Sequence, residues 1–108
     1  MIVVAVPGDP LSLTATDLVF GARAVPMTSG KGVTGHALGA AGALEAAQVL
    51  LSMQHRMIPP TAGTTTVDPA MTIDLVTGSS RAWEPGPAIS NNFGFGGHNG
   101  SVIIAPAG

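Results

Sequence analysis

The 108-residue chain contains no cysteine, and only 9% of its residues are charged and 4% aromatic. The absence of cysteine excludes disulfides and any thiol chemistry by this chain. Ordinary domains carry about 25% charged residues, so this low charge content predicts that much of the surface faces other protein. The formal net charge of −2 supplies no basic patch, which argues against nucleic acid as a partner.

The chain also lacks the patterns that direct or anchor a protein at a membrane. Its first six residues are an apolar run without the basic region that a signal peptide needs. The apolar stretch at residues 37–53 is interrupted by glycine and falls short of the roughly 20 residues that span a bilayer. We therefore expect no membrane partner and a cytoplasmic protein of one small domain, residues 1–108.

The apolar pattern predicts five strands and two helices. Strands are predicted at residues 2–6, 24–28, 71–76, 88–92 and 101–105, and helices at residues 11–20 and 37–53. The last two strands form a hairpin. Residues 78–87 are predicted to be a loop with Trp83 as its one large apolar anchor.

The helix at residues 37–53 is built mostly from Ala, Leu, Val and Met. Its polar exceptions, Glu45, Gln48 and Ser52, recur at helical spacing and form one narrow strip. Such a helix contacts other protein on most of its circumference. Gly39 and Gly42 each cost about 1 kcal/mol relative to alanine, which predicts that another backbone approaches closely there.

A polar, glycine-rich loop at residues 28–36 precedes this helix and carries the only lysine, Lys31, together with His36. A helix N-terminus has partial positive charge, so it favours the neutral form of His36, and Lys31 acts in the same direction. A neutral imidazole can donate its N–H to a carbonyl oxygen that is gaining charge. The alternative is a histidine that only caps the helix and hydrogen-bonds a neighbouring backbone group.

The turn of the hairpin, residues 93–100, contains four glycines and two phenylalanines. Glycine permits backbone conformations closed to other residues, so this turn can direct N–H groups at an anion or oxyanion. A flexible turn that holds two core phenylalanines is the alternative. A nucleotide-binding loop is rejected, because neither glycine-rich nucleotide motif is present and a hairpin is the wrong context.

Several motifs resemble those of β-ketoacyl-[acyl carrier protein] synthases. Thr-Ser-Gly-Lys-Gly-Val-Thr-Gly-His at residues 28–36, followed by Leu-Gly-Ala-Ala-Gly, resembles the lysine–glycine–histidine segment of that family. Asn-Asn-Phe-Gly-Phe-Gly-Gly-His-Asn at residues 91–99 is similar to its C-terminal motif. Pro-Pro-Thr at residues 59–61 and Gly-Asp-Pro at residues 8–10 also fit, so the resemblance covers roughly residues 8–105.

The resemblance implies a thiolase-like fold, with two similar α/β halves that each contain a five-stranded sheet. Residues 1–108 would form part of the C-terminal β-ketoacyl synthase domain. This part has a mixed sheet and a buried glycine- and alanine-rich helix, which would pack against its twin from the other half.

The resemblance also implies a role for each motif residue. His36 would hydrogen-bond the malonyl thioester carbonyl and stabilise the enolate, and Lys31 would order the histidine region electrostatically. Phe95 would supply an oxyanion-hole N–H and a gating ring, and Phe93 would line the malonyl side. The remaining implied substrate-binding residues are Asn92, Gly94, Gly96 and Gly97. No resident cofactor or metal is implied, since acyl and malonyl groups arrive on the phosphopantetheine of acyl carrier protein.

Two parts of the family's active site are missing from the sequence. The nucleophilic cysteine belongs to the N-terminal half, and the family's first histidine would fall near residue 1, where the sequence does not match. Gly30 and Gly32 also replace the usual Thr/Ser and Ser beside the lysine, which predicts a looser loop around Lys31.

We therefore expect a homo- or hetero-oligomer that includes an N-terminal ketosynthase half or second subunit and that acts with acyl carrier protein. Alone, the chain is expected to be inactive. One alternative is a non-catalytic ketosynthase remnant that dimerises or docks a carrier protein. A metal site built from His36, His55 and His98 is disfavoured, because spacings of 19 and 43 residues match no ligand motif.

Overall fold

The computed structural model describes the backbone of residues 2–4 and the whole of residues 16–108. Residues 16–20 are helical, as predicted for the end of the first helix. The predictions for residues 5–15, which include the end of the first strand and the start of that helix, lie outside the described residues.

A five-stranded mixed sheet forms the centre of the fold. Its strands are β1 (Ile2–Val4), β2 (Pro26–Thr28), β4 (Asp74–Leu75), β6 (Ala88–Phe93) and β7 (Asn99–Ile104), in the spatial order β4-β2-β1-β6-β7. β1 lies parallel to β2 and β6, and β2 lies parallel to β4. β6 and β7 form the predicted antiparallel hairpin, with Phe93 opposite Asn99 at its tip. The predicted α/β class and the five strands of this sheet are confirmed.

Two helices follow β2, and both differ from prediction. The predicted loop around Lys31 is instead a short helix, α1 (Lys31–Thr34). The long helix, α2 (Ala41–His55), begins four residues later than predicted, after a 3-10 turn at Leu38–Ala40. Leu38 has a φ of +49°, a left-handed conformation that an α-helix cannot contain, so the α-helix can begin only beyond it.

A second, two-stranded sheet lies beyond the end of α2. β3 (Met57–Ile58) pairs antiparallel with β5 (Arg81–Ala82), where a loop was predicted. Arg81 donates two hydrogen bonds, of 2.6 and 2.9 Å, to Asp74 of β4 and so joins the two sheets. These bonds, and to a smaller extent the negative charge of Asp74, raise the pKa of Arg81 despite the opposing effect of burial.

Apolar side chains pack on both faces of the larger sheet. Val49 of α2 packs with Ile58, Val76 and Ala88 on one face, and Trp83 covers this cluster as predicted. On the other face, Met27 and Ile73 are buried together, with four partly buried neighbours: Val25, Met71, Leu75 and Ile89. The predicted one-sided alternation of Met71, Ile73 and Leu75 is therefore confirmed, although the strand itself is only two residues long.

The polar strip of α2 faces into this chain. Glu45 and Ser52 are each only 4% exposed, whereas Leu50 and Leu51 are 56% and 55% exposed. The helix thus directs its polar residues at its own domain and its leucines outward. An exposed apolar face of this kind typically marks a surface that other protein covers.

Candidate functional site

A buried ion pair joins α1 to α2. Lys31 Nζ donates to Oε1 of Glu45, and the side chains are 6% and 5% exposed. The second carboxylate oxygen, Oε2, accepts a hydrogen bond of 3.1 Å from the Ser90 hydroxyl on β6. Both oxygens of Glu45 are therefore satisfied, as a buried carboxylate requires.

The residues just before Lys31 are also fixed by hydrogen bonds. The backbone N–H of Ser29 donates to Thr61 Oγ1 at 3.2 Å, and Thr28 Oγ1 donates to the carbonyl of Pro59 at 2.7 Å. The segment that leads into α1 is thus tied to the chain that follows α2. The predicted loose loop around Lys31 is wrong, since the residue lies in a helical turn and is buried.

His36 lies on the exposed surface between α1 and the 3-10 turn, five residues before α2 begins. The prediction that it stands at the N-terminus of the long helix is therefore wrong. Its Nδ1 accepts the backbone N–H of Leu38 at 3.0 Å. This bond is the hydrogen bond to a neighbouring backbone group that the alternative interpretation of His36, as a purely structural residue, predicts.

The same bond also has a chemical consequence. Because Nδ1 accepts a hydrogen, the proton of a neutral imidazole sits on Nε2. Nε2–H is then a donor on an exposed ring. His36 can therefore donate to a carbonyl oxygen that approaches from outside this chain.

The glycine-rich turn between β6 and β7 is a 3-10 turn at Phe95–Gly97. It is closed by the Gly94 N–H, which donates to the His98 carbonyl at 2.8 Å. A side chain on Gly94 would lie 2.5 Å from that carbonyl oxygen, and Gly96 and Gly97 have φ of +79° and +83°. The glycines are thus required by a defined turn.

Phe95 is the first residue of this turn, so its backbone N–H has no acceptor within the turn. No other backbone bond from this N–H is formed in the described part of the chain. The Phe95 side chain is 90% exposed, and that of Phe93 is 39% exposed. The backbone of the described chain therefore provides no acceptor for the Phe95 N–H, and both phenylalanines are at least partly exposed.

The hairpin touches the long helix at Asn92. A Cβ placed on Gly42 would lie 3.0 Å from Nδ2 of Asn92, so the first turn of α2 lies directly against this side chain. Within the described chain the neighbour of Gly42 is a side chain, so the predicted approach of another backbone stays a prediction. At Gly39 no group of the described chain comes within 4 Å.

The predicted site residues thus form separate groups within this chain. Lys31 joins Glu45 and Ser90, and Asn92 joins Gly42. Among the described residues, no hydrogen bond links Lys31 or His36 to the turn at Phe95–Gly97. A groove of about 470 Å³ runs along α2 and takes in Lys31 but neither His36 nor Phe95. It is lined in part by Leu44, Glu45, Gln48, Leu51 and Ser52.

Glu45 and Ser90 are site residues that the sequence alone did not identify. Glu45 was visible as part of the polar strip, but its partner lies 14 positions away and Ser90 lies 45 positions away. A buried position for this strip would have been the signal, because a buried carboxylate requires a cation or several donors.

Across residues 16–108, no three His, Asp or Glu side chains come together in a way that could hold a metal ion. No helix in the described part of the chain is both long and apolar enough to cross a membrane.

The chain matches a known family over more than half of its length. Residues 5–65 match the profile of the β-ketoacyl synthase C-terminal domain. This span exceeds half of the chain and includes Lys31, His36 and all of α2.

Curated and solved proteins give the same result. The chain is 42% identical over 84 residues to 3-oxoacyl-[acyl-carrier-protein] synthase 2 of Vibrio harveyi, a match that covers 78% of this chain and 20% of that protein. It superposes on a β-ketoacyl synthase from Burkholderia phymatum with a TM-score of 0.88 and 39% identity, over 98% of this chain and 27% of the other.

A third match is a ketosynthase solved in complex with a type II polyketide acyl carrier protein. Its TM-score is 0.89 at 25% identity, over 98% of this chain and 28% of that one. The chain therefore spans between a fifth and three tenths of the length of each of these relatives.

Proposed function

Because the chain belongs to the β-ketoacyl synthase family, we propose that it supplies one part of a condensing active site, to which another polypeptide segment brings the nucleophilic cysteine. The site acts on malonyl and acyl thioesters in fatty acid or polyketide synthesis. The observation that carries the proposal is the hydrogen bond from Leu38 N–H to Nδ1 of His36, which leaves Nε2–H free to donate.

In this proposal His36 acts on the malonyl thioester. Its Nε2–H donates to the thioester carbonyl, and loss of CO₂ leaves the electron pair of the broken C–C bond delocalised as an enolate. The hydrogen bond strengthens as charge builds on that oxygen, so it stabilises the transition state more than the substrate. No hydrogen bond joins Lys31 to the His36 ring in the described part of the chain, and Lys31 acts by fixing the segment from which His36 projects.

The second step uses the turn at Phe95–Gly97. The enolate carbon attacks the acyl thioester formed on the cysteine of the partner, and the carbonyl oxygen of that thioester becomes an oxyanion. Collapse of this oxyanion breaks the C–S bond, so the cysteine leaves as a thiolate and the lengthened β-ketoacyl chain stays on the carrier protein. The unpaired Phe95 N–H is the donor for this oxyanion. Phe93 and Asn92 lie at the end of β6 beside it, where they would contact the substrate.

The partner is proposed from the surface of α2. Leu44, Leu50 and Leu51 are 45–56% exposed, and only 9% of the residues are charged. An N-terminal ketosynthase half, or a second subunit that contains one, would cover these leucines and bring its cysteine to His36 and Phe95. Acyl carrier protein would deliver both substrates on its phosphopantetheine, without a resident cofactor, and the expected location is the cytoplasm.

Mixing the chain with the whole part of the Vibrio harveyi relative that precedes the matched segment, which contains its amino-terminal half, tests this proposal. We expect one complex in size-exclusion chromatography and release of CO₂ from malonyl-[acyl carrier protein] that neither piece produces alone. A mixture that forms no complex and releases no CO₂ would contradict the proposal.

The exposed leucines also favour a second candidate, a non-catalytic module that dimerises or docks a carrier protein. Such a module needs the apolar face of α2 but not His36. A complex that forms with the amino-terminal half yet releases no CO₂, for both the unmodified chain and His36→Ala, would support this candidate.

A further inference from the structure

The side chain of Gln48 lies directly over Gly30. A Cβ added to Gly30 would overlap Oε1 of Gln48 and lie 3.3 Å from its Cδ. The Nε2 of Gln48 is buried and has no hydrogen-bond partner in the described part of the chain. Burying an amide N–H group without a partner costs free energy, so no hydrogen bond from Nε2 explains the position of this side chain. The contact that remains for the amide is its packing over Gly30.

Gly32, which follows Lys31, is also in close contact with another part of the chain. A Cβ on Gly32 would overlap the backbone carbonyl oxygen of Ala62. At Gly32 the neighbour is backbone, so no side chain fits there, whereas at Gly30 the neighbour is the end of the Gln48 side chain, which would have to move to admit one. The role of both glycines is to admit Gln48 and Ala62 against the backbone of α1.

Gln48 and Glu45 share one face of α2, a single helical turn apart. Glu45 binds the ammonium group of Lys31, and Gln48 contacts the residue that precedes Lys31. The Gln48 side chain therefore lies between α2 and the backbone of Gly30, next to the residue whose ammonium group binds Glu45.

We propose that Gln48 is a positioning residue for Lys31, which acts by filling the space over Gly30 and holding the Lys31 ammonium against Glu45. The inference rests on the proposed function only in that Lys31 belongs to the proposed site. The placement of Lys31 can be measured without any catalytic activity.

Lys31 is the only lysine in the chain, which makes its amine a specific probe. The folded chain is treated with an N-hydroxysuccinimide acetate reagent, and the acetylation of Lys31 is followed by mass spectrometry, with the terminal amine as the internal reference for the reagent. Lys31 is 9% exposed, so slow acetylation is expected in the unmodified chain.

Gln48→Ala is expected to raise the acetylation rate of Lys31 at least about tenfold, because the segment can then move away from α2 and expose the amine. The matched control is Gln54→Ala, which shortens an exposed glutamine on the same helix and leaves the rate unchanged. Equal rates for Gln48→Ala and the unmodified chain, or an equal rise for Gln54→Ala, would overturn the proposal.

Two further variants separate positioning from a general loss of structure. Gln48→Met keeps a side chain of similar length without the amide and is expected to retain slow acetylation, so a rise there counts against the role of packing. Gly30→Ala combined with Gln48→Ala refills part of the space and should acetylate more slowly than Gln48→Ala alone.

Circular dichroism on every variant identifies any that unfold. If Gln48→Ala itself unfolds, the rate of Gln48→Met decides the question. A chain that shows this labelling pattern but supports no release of CO₂ with a partner would reject the proposed function and retain the role of Gln48.

Discussion

Replacing Lys31 by methionine removes the ammonium group that pairs with the buried carboxylate of Glu45. Among the described residues, the carboxylate, 5% exposed, then keeps only the hydroxyl of Ser90 as a donor. Breaking one side of a buried ion pair costs about 3–5 kcal/mol, because a charge is left without its partner. Since a small domain is stable by only about 5–15 kcal/mol, Lys31→Met should remove a large share of the free energy of unfolding.

Urea unfolding followed by circular dichroism measures this loss. Glu45→Gln should be destabilising as well, because it leaves the ammonium group buried without a counter-charge. The double variant should cost less than the sum of the two single changes, with a coupling energy of about 0.5–3 kcal/mol. The control is Glu84→Gln in the exposed pair with Arg56, where the Glu84 side chain is 80% exposed and the change should cost about 0–1 kcal/mol.

The comparison of the two pairs is decisive. If Lys31→Met costs no more than Glu84→Gln, or if the Lys31 and Glu45 changes add without coupling, the pair is not buried in solution. The placement of Lys31 on which the site is built would then be wrong.

Three further changes test other parts of the structure. Gly94→Ala should destabilise the chain by about 1–3 kcal/mol in thermal unfolding, because its Cβ would lie 2.5 Å from the His98 carbonyl oxygen. Gly100→Ala is the control and should have no such effect, because no group lies within 4 Å of a Cβ at that position. Equal effects of the two changes would refute the turn geometry. Asp74→Asn should cost under about 1 kcal/mol and lose even that at high salt, since the pair with Arg81 is partly exposed. The raised pKa of Arg81 means that this contribution is present throughout the neutral range and is lost only as pH rises through that pKa, so a cost that changes with pH near neutrality would contradict it. Leu51→Asp, at a residue that is 55% exposed, should leave the free energy of unfolding within about 0.5 kcal/mol of that of the unmodified chain. It should abolish the complex with the amino-terminal half in size-exclusion chromatography, and an undiminished complex would place the partner elsewhere.

The long helix illustrates how far composition alone could predict the fold. Its run of helix-forming residues and the two prolines beyond it located the element, and α2 ends at His55, two residues after the predicted end and four before the first proline. Its start could not be predicted in the same way. Leu38 adopts a positive φ and gives its N–H to the ring of His36, and helix propensity contains no information on such a side chain–backbone bond.

The sequence likewise could not predict whether the polar strip of α2 faces the interior or the solvent. Spacing placed Glu45, Gln48 and Ser52 on one face, but which face points inward depends on Lys31, which lies in a different element. The strands β3 and β5 were missed because two residues are too few to show an alternating pattern. The hairpin was predicted well, because its strands are longer and its turn is marked by glycine.

The candidate site shows the same distinction between what is local in sequence and what depends on the fold. Lys31, His36 and Phe95 were identified through motifs, which are local in sequence. Glu45 and Ser90 become part of the site only through contacts across the fold, and the unpaired donors on His36 and Phe95 become visible only with the geometry of their turns.

The most direct test of the central claim is a chimera in which this chain replaces the matching segment of the Burkholderia phymatum synthase. The measurement is release of CO₂ from malonyl-[acyl carrier protein], compared among the chimera, its His36→Ala variant and its His55→Ala variant, in which the histidine at the exposed end of α2 is the control. We expect an active chimera that loses about 10²–10³-fold in rate with His36→Ala and keeps its rate with His55→Ala. A folded chimera that releases no CO₂, or one that His36→Ala leaves as active as His55→Ala does, would contradict the claim that this chain contributes the histidine of a condensing site.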